Sequence, residues 1–293
     1  MILGASLGSL RGRTFSKAME AYLKLSEDFN LEAVEIRFEK EKNKLSLWSW
    51  EIKNEDIADF LEEFKIVGAH LPFAYLNPIS PNPRIKNESI NQLKIGIEKA
   101  SDLNMNYVTM HARGDACDLT KEEKLSEWLR VFIELAEYAE EHSIILTIEN
   151  ADFLSNLKEL SGIVDEINSK WLRITLDVGH AHIRMKTSLL SYALKALDRT
   201  PLPFITNKYM PYEGYGSIKN FIEKEHDKIF NFHIHDYDGK RDHLIIGDGK
   251  INFSFLSILK RINFSGPLIF ESIFNNHEDF KRNYKRLKGV IGL

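Results

Sequence analysis

Six short apolar segments of the chain each end on a histidine, an aspartate or a glutamate. Imidazole nitrogen and carboxylate oxygen are the donor atoms that hold Zn²⁺, Mn²⁺ and similar divalent ions. One such ending means little, because a buried carboxylate can also cap a helix or pair with an arginine. Six in one chain point to a shared pocket. In chain order the six residues are His70, His111, Glu149, Asp177, His233 and Glu271.

The segments that carry these residues have the length and the β-branched or aromatic composition of buried strands. They are Ile66–His70, Tyr107–His111, Ile144–Glu149, Leu172–Asp177, Ile229–His233 and Pro267–Glu271. Two further strands are predicted upstream, at Ile2–Ser6 and Leu31–Arg37. The chemistry-bearing residues would therefore lie at one end of a sheet.

Helical spacing of apolar residues, or a capping signal, follows each predicted strand. The predicted helices begin near Thr14, Asn54 and Thr120, and cover Ser89–Leu103, Ser155–Ile167, Ser188–Leu197, Ile218–Glu225, Phe253–Arg261 and His277–Leu287. Eight alternating strand and helix units favour a closed parallel barrel. We predict a single (β/α)8 TIM barrel over residues 1–293, with an insertion at about 199–217 between strands six and seven. In such barrels the active site lies where the strands end.

Composition narrows the class of protein. The 293 residues are 43% hydrophobic and 28% charged, which is ordinary for a globular protein. A net charge of −4 argues against a broad nucleic-acid-binding surface. Cys117 is the single cysteine, so an internal disulfide is impossible. We find no membrane-length apolar stretch and no secretion signal at the N-terminus, and expect a cytoplasmic protein without a membrane partner.

Four of the candidate ligands come from four consecutive strands: Glu149, Asp177, His233 and Glu271. Three carboxylates and one imidazole suit Mn²⁺, Mg²⁺, Co²⁺ or Zn²⁺. His70 and His111 end the two preceding strands and can hold a second ion, with Glu149 bridging the two sites.

The order of these motifs resembles one superfamily. Its carriers are His70-Leu-Pro-Phe73, His111, Ile148-Glu-Asn150, Leu176-Asp-Val-Gly-His180, His233-Ile-His-Asp236, His243-Leu-Ile-Ile-Gly-Asp-Gly249 and Glu271. With these, nearly the whole chain resembles the xylose isomerase-like superfamily of TIM barrels, which joins sugar isomerases and epimerases with endonuclease IV. The pattern is specific for the superfamily and not for one activity.

The endonuclease branch, as the resemblance implies, uses three zinc ions. The first site corresponds to His70, His111 and Glu149, and the second to the four-ligand set. A possible third site would use His180, His243 and an aspartate two residues before His243. Arg241 stands at that position and Asp242 follows it. We leave open whether Asp242 replaces the expected ligand.

Our first hypothesis is a divalent-metal-dependent isomerase or epimerase of a sugar or sugar phosphate. Glu149 and Glu271 would remove and return a proton beside the substrate carbonyl, and His180 would orient a substrate oxygen. We also expect Phe73 and Arg241 to contact the substrate. Zinc or manganese are the expected metals, with magnesium or cobalt as alternatives.

The alternative hypothesis is a zinc-dependent endonuclease that cleaves DNA at abasic sites, and only under it do we expect a nucleic-acid partner. The acidic balance and Arg241 count against it. A metal-stabilised binding protein without turnover should lack a catalytic glutamate, and both are present. The sequence leaves the number of metals and the oligomeric state open, a homo-oligomer included.

Several other residues have two readings each. Arg11 and Arg13 bind a substrate phosphate or lie on the surface. The tyrosines of the insertion stack on substrate or pack the insertion; they are Tyr209, Tyr212 and Tyr215. For His182, His235 and Asp236 we expect packing or support of the ligands rather than metal binding.

Overall fold

Eight parallel strands close into one barrel, in the order in which they follow along the chain. This computed structural model describes residues 1–10, 13–39, 51–183 and 216–292. Arg11, the predicted helix Ser188–Leu197 and all but the last two residues of the predicted insertion lie outside the described residues. The extent of the single domain therefore stays a prediction, whereas the (β/α)8 barrel is confirmed.

The strands have nearly the predicted bounds. They are β1 Ile2–Ser6, β2 Ala33–Arg37, β3 Ile66–His70, β4 Tyr107–Met110, β5 Ile145–Glu149, β6 Leu172–Asp177, β7 Ile229–Ile234 and β8 Pro267–Phe270. Each strand pairs with the next, and β8 pairs with β1 through Leu3 and Leu268. Because all strands run the same way, their carboxyl ends share one rim.

Helices follow the strands along the described chain. They are α1 Phe15–Phe29, α2 Ala58–Glu62, α3 Pro83–Asp102, α4 Lys121–Glu141, α5 Leu157–Ile167, α6 Ile218–Glu225, α7 Ile258–Arg261 and α8 His277–Ile291, with short 3₁₀ helices at Leu7–Ser9, Asn54–Asp56, Asp152–Leu154 and Phe253–Ser257. No helix among the described residues is both long and apolar enough to span a bilayer.

Three predicted helices differ from the observed ones. The helix predicted from Ser89 begins at Pro83, because Asn82 caps it and proline is well tolerated in the first turn. The helix predicted from Asn54 begins as a 3₁₀ turn. The segment predicted as one helix at Phe253–Arg261 is a 3₁₀ helix followed by α7.

The apolar core lies between the barrel and its helices. Helix α4 buries Trp128, Phe132 and Leu135 completely on one face, and its first turn is closed by the predicted capping box between Thr120 and Glu123. Burial of this stripe fixes the helix against the barrel and so holds the strand ends in place.

Inside the barrel, a polar layer lies directly below the strand ends. Thr109, Thr147, Thr175 and Asn231 each stand two residues before a candidate ligand and are completely buried. Their side chains are linked: Thr147 Oγ1 lies 2.6 Å from Thr175 Oγ1, which donates to Asn231 Oδ1 at 2.6 Å. TIM-barrel interiors are usually filled by branched apolar residues. Here a hydrogen-bonded floor supports the site instead.

Candidate metal centre and active site

A cavity of about 540 Å³ opens at the carboxyl ends of the strands. Its lining is rich in histidines, acidic residues and arginines, which come from loops spaced around the whole rim. The chemically active residues of the lining are Arg37, His70, His111, Arg113, Asp152, His180, Asp242, His243 and Glu271. This is the end of the barrel at which the sequence predicted a site.

Glu149 lies at the centre of this end, completely buried, and four imidazoles surround its carboxylate. Its Oε1 lies 2.7 Å from His180 Nδ1. Its Oε2 lies 3.1 Å from His111 Nε2, 3.1 Å from His233 Nδ1 and 3.6 Å from His70 Nε2. A single carboxylate thus joins four side chains from β3, β4, β7 and the segment after β6.

Two further carboxylates complete the cluster. Asp177 Oδ1 accepts a hydrogen bond from the backbone N–H of His180 at 2.6 Å, and Asp177 Oδ2 lies 3.0 Å from His235 Nε2. Glu271 Oε2 lies 3.4 Å from His233 Nδ1 and 3.7 Å from His243 Nε2. Glu149 and Glu271 therefore approach the same nitrogen of His233.

Several groups of these side chains have the spacing of a metal site. In each group the ligand atoms lie within 4.8 Å of one another; the groups are His70–His111–Glu149, Glu149–Asp177–His233, Glu35–His233–Glu271, Asp177–His235–Glu271 and His180–His235–His243. The buried Nε2 of His111 has no hydrogen-bond partner although Glu149 is adjacent. Imidazole nitrogens and carboxylate oxygens grouped this closely fit a divalent cation.

The imidazoles and carboxylates of the cluster stabilise one another's charged forms. Burial opposes protonation of His111, but Glu149 and Asp152 outweigh it and raise the pKa of His111 to about 9. Burial likewise opposes the charged forms of Glu149 and Glu271, but the neighbouring imidazoles hold the pKa of each carboxyl well below its ordinary value. A bound cation would replace the imidazole protons as the source of this stabilisation.

Asp242 turns into the cluster and Arg241 turns away from it. Asp242 Oδ1 lies 3.0 Å from His235 Nδ1, and its Oδ2 lies 3.6 Å from His180 Nε2 and 3.5 Å from His243 Nδ1. The side chain of Arg241 is 72% exposed and pairs with Asp238. Arg241 is not among the described residues that line the cavity, and the substrate contact expected for it stays a prediction.

His235 lies within the cluster itself, whereas the sequence predicts for it only packing or support of the ligands. It is completely buried between Asp177 and Asp242, and its ring stacks on His243 with centroids 4.2 Å apart. A Cβ at Gly179 would overlap the His235 ring, so the glycine in the Asp-Val-Gly-His motif leaves the space for it. His182 instead bonds the carbonyl of Val178 and lies against Phe255.

Asp236 holds the loop that carries Asp242 and His243. Its carboxylate accepts hydrogen bonds from the backbone N–H groups of Tyr237, Gly247, Gly249 and Ile251, at 2.7, 2.7, 2.9 and 3.1 Å. Both carboxylate oxygens are thereby engaged, so Asp236 orders the loop.

Arg13 lies outside this cavity. It lines a separate cavity of about 410 Å³ with Lys17, Lys24 and His277. Of the two alternatives left open for Arg13, this position does not place it at the main site. Phe73 lines the main cavity and stacks on His111 at 4.5 Å, and its substrate contact stays a prediction.

Two residues of the site were missed in the sequence. Asp152 adopts a left-handed backbone conformation, with φ of 49°, and its Oδ2 lies 3.1 Å from His111 Nδ1, which turns Nε2 toward Glu149. Glu35 is completely buried below the cluster, with Oε2 3.1 Å from His233 Nε2 and 2.9 Å from the donating Tyr107 hydroxyl. Glu35 thus directs the other nitrogen of His233, Nδ1, to Glu149 and Glu271.

Because Glu35 orients His233, replacing it should weaken metal binding without removing a ligand. We expect Glu35→Gln to lower the affinity for Zn²⁺ or Mn²⁺ about 10–100-fold, since an amide NH₂ facing Nε2 favours the tautomer whose Nδ1 is blocked by a proton. Competition with a chromogenic chelator measures the change. Glu32→Gln is the matched control, because Glu32 precedes the same strand and pairs with Lys65. Equal affinities in both variants would show that Glu35 has no orienting role.

Comparisons with known proteins agree with the fold. The family model described as a xylose isomerase-like TIM barrel matches residues 23–289. An uncharacterised protein of Methanocaldococcus jannaschii, MJ1311, is 30% identical over 242 residues, which are 78% of this chain and 71% of the relative.

Solved structures show the same barrel. A D-tagatose 3-epimerase-like protein superposes with a TM-score of 0.74 and 26% identity, covering 100% of this chain and 97% of that one. A D-allulose 3-epimerase from Methylomonas sp. superposes with a TM-score of 0.71 over 99% of this chain and 96% of that one; at 16% identity it shows the fold alone. From its barrel and the matching family model, this chain belongs to the xylose isomerase-like TIM barrel family.

Proposed function

We propose that this protein is a divalent-metal-dependent epimerase or isomerase that moves a proton at the carbon beside the carbonyl of a ketose. The observation that carries the proposal is the pair of carboxylates on His233: Glu149 Oε2 lies 3.1 Å and Glu271 Oε2 3.4 Å from Nδ1 of the same imidazole. Two carboxylates at one site can remove a proton and return one from another direction.

Both carboxylates are ready to act as bases. Although burial favours their neutral forms, the surrounding imidazoles keep the pKa of Glu149 and Glu271 well below the ordinary value for glutamate. Glu271 lines the cavity directly, and Glu149 lies just beneath His111 and His180. Glu271 is thus the carboxylate with the more open path to a substrate carbon.

The remaining residues have separate tasks. Glu149, Asp177, His233 and Glu271 would hold the ion; His180, at the cavity wall beside Glu149, would orient a substrate oxygen. A divalent ion at these ligands supplies Lewis-acid stabilisation for the negative charge that develops on the substrate oxygens. Phe73 forms part of the cavity wall.

The comparisons support the same class of reaction. The D-tagatose 3-epimerase-like protein covers this chain completely at 26% identity, and D-tagatose is a ketose. We therefore favour a ketose as substrate and epimerisation at C3 as the reaction. Zinc and manganese remain the metals we expect from the mixed nitrogen and oxygen ligands.

Deuterium exchange tests the proposal without knowing the exact sugar. The Mn²⁺- or Zn²⁺-loaded protein is incubated with D-fructose, D-tagatose and D-allulose in D₂O, and proton NMR follows the hydrogens beside the carbonyl. We expect exchange and interconversion of C3 epimers, both abolished by a chelator and restored by added metal. The same incubation is made with D-fructose 6-phosphate and with the corresponding aldoses, and absence of exchange with all of these sugars would overturn the proposal.

One observation favours a second candidate, a zinc-dependent endonuclease acting at abasic sites. The carboxylate of Asp242 lies near His180 and His243, where the side chain of Arg241 supplies no ligand. His180, His235 and His243 thus form a third group of possible metal ligands beside the first two. Metal content by mass spectrometry separates the candidates, because three zinc ions per chain with cleavage of an abasic-site duplex would replace our first proposal.

A further inference from the structure

Two arginines line the candidate active-site cavity on the same side of the barrel. Arg37 ends β2, where it is paired in register with His70, and Arg113 follows β4. The guanidinium carbon of Arg37 lies 5.6 Å from the centroid of the Phe73 ring, and that of Arg113 lies 5.3 Å from it. Both guanidinium groups therefore lie within cation–π distance of the same aromatic ring.

This aromatic surface adjoins the metal cluster. The Phe73 ring stacks on His111, at 4.5 Å and an interplanar angle of 17°, and meets the His70 ring edge-on at 5.4 Å. The two guanidinium groups are therefore one aromatic ring away from the imidazoles of the candidate site. A ligand that reaches the cluster with one end can reach the arginines with the other.

The charge of this corner differs from that of the rest of the cavity. Arg113 is exposed, and its charge interacts with the carboxylate of Asp152, which lines the same cavity. Apart from Arg37 and Arg113, the charged side chains of the lining are carboxylates and imidazoles. Two guanidinium groups that line one cavity beside the same aromatic ring suit an anionic ligand.

We propose that Arg37 and Arg113 form an anion subsite that takes the phosphate of a phosphorylated ketose whose carbonyl end lies at the metal cluster. This inference rests on the proposed function and names its substrate class. Two guanidinium groups match the charge and the three oxygens of a phosphate monoester, whereas a carboxylate needs only one. The serine hydroxyls of Ser6 and Ser9 also line the cavity and offer neutral partners for sugar hydroxyls.

Calorimetry with matched sugars tests the subsite. D-fructose 6-phosphate and D-fructose are titrated into the Mn²⁺-loaded protein and its variants Arg37→Gln, Arg113→Gln and the double replacement. The parent should bind the phosphorylated sugar more tightly than D-fructose. Each single variant should weaken binding of D-fructose 6-phosphate about tenfold to a hundredfold and weaken binding of D-fructose much less.

Arg130→Gln is the control, because Arg130 lies on α4 with 70% of its side chain exposed and pairs with Glu127. Equal binding of both sugars by the parent, or equal losses for both in the variants, would overturn the subsite. An abasic-site duplex is titrated in the same way. A loss of affinity in the variants that is confined to this duplex would also overturn the subsite, because it would assign the arginines to nucleic acid. Arg113→Gln alone decides the matter if Arg37→Gln does not fold.

The subsite and the proposed function fail separately. A protein that exchanges deuterium into D-fructose but binds D-fructose 6-phosphate independently of both arginines keeps its function and lacks the subsite. A protein that binds the phosphorylated sugar through Arg113 but exchanges deuterium into neither sugar keeps the subsite and is not an epimerase.

Discussion

Replacing Glu271→Gln is expected to lower kcat for ketose epimerisation by about 10²–10⁴-fold, the range that a general acid–base group contributes, while a divalent metal still binds. Glutamine keeps the size of the side chain and an oxygen that can ligate, but it cannot accept a proton from carbon. Glu149, Asp177 and His233 remain to hold the ion. The measurement is kcat by the NMR assay, together with metal content per chain.

The control for this variant is Glu278→Gln, which removes the same charge from α8, where the side chain is 76% exposed. We expect it to match the parent in both readouts. Full activity in Glu271→Gln would show that another group exchanges the proton. Loss of metal together with activity would show that activity falls because the ion is no longer held, and the acid–base assignment would then be withdrawn.

The barrel and the position of its candidate site were predictable because two geometric rules apply to the same residues. Residues two apart on a strand face the same side, and all strands of a parallel barrel end at one rim. A histidine or carboxylate at the end of each apolar segment therefore had to reach the same cavity. The register pair Asp177 and His233, which lie side by side at the ends of β6 and β7, is the result.

The same periodicity could have found the polar floor. Thr109, Thr147, Thr175 and Asn231 stand two residues before His111, Glu149, Asp177 and His233, so they must point into the barrel below them. Glu35 occupies the corresponding face of β2, and its carboxylate on His233 follows from that position. Strand composition alone does not reveal that Glu35 is the group that orients His233.

Loop residues could not be placed from the sequence in the same way. His243 adopts a left-handed backbone, with φ of 55°, and beside it Asp242 faces the histidines while Arg241 is exposed. Asp152 reaches His111 from another left-handed position. No strand or helix period governs such segments, so spacing along the chain does not decide whether Arg241 or Asp242 faces the cluster.

The contacts of Phe73 with Arg37 and Arg113 could not be predicted from the sequence either, because they are tertiary contacts. Arg37 and Arg113 are far apart in the chain and end different strands, and only the closed barrel brings both to one aromatic ring. The arginines singled out in the sequence, Arg13 and Arg241, were chosen by proximity to a motif. Proximity along the chain does not determine which way a side chain faces once the strand has ended.

Replacing Glu149→Ala should remove both metal binding and turnover, because this carboxylate is shared by two of the candidate metal groups. A metal at 100 times its Kd stabilises a protein by about 2.7 kcal/mol, and a chain of this size then gains several degrees in melting temperature. We expect the parent to show this gain with Zn²⁺ or Mn²⁺ and Glu149→Ala to show none. The kcat of Glu149→Ala should fall by about 10²-fold or more, which is the effect of losing a general base.

The comparison between the two glutamates gives this experiment its resolution. Glu149 touches four imidazoles, whereas Glu271 touches two and lies open to the cavity. Glu271→Gln should therefore keep the metal-induced gain in melting temperature that Glu149→Ala loses, and Glu278→Ala should keep both the gain and the activity. A Glu149→Ala protein that is stabilised by metal as strongly as the parent would place the ion among other ligands, with His180, His235 and His243 as the group to test next.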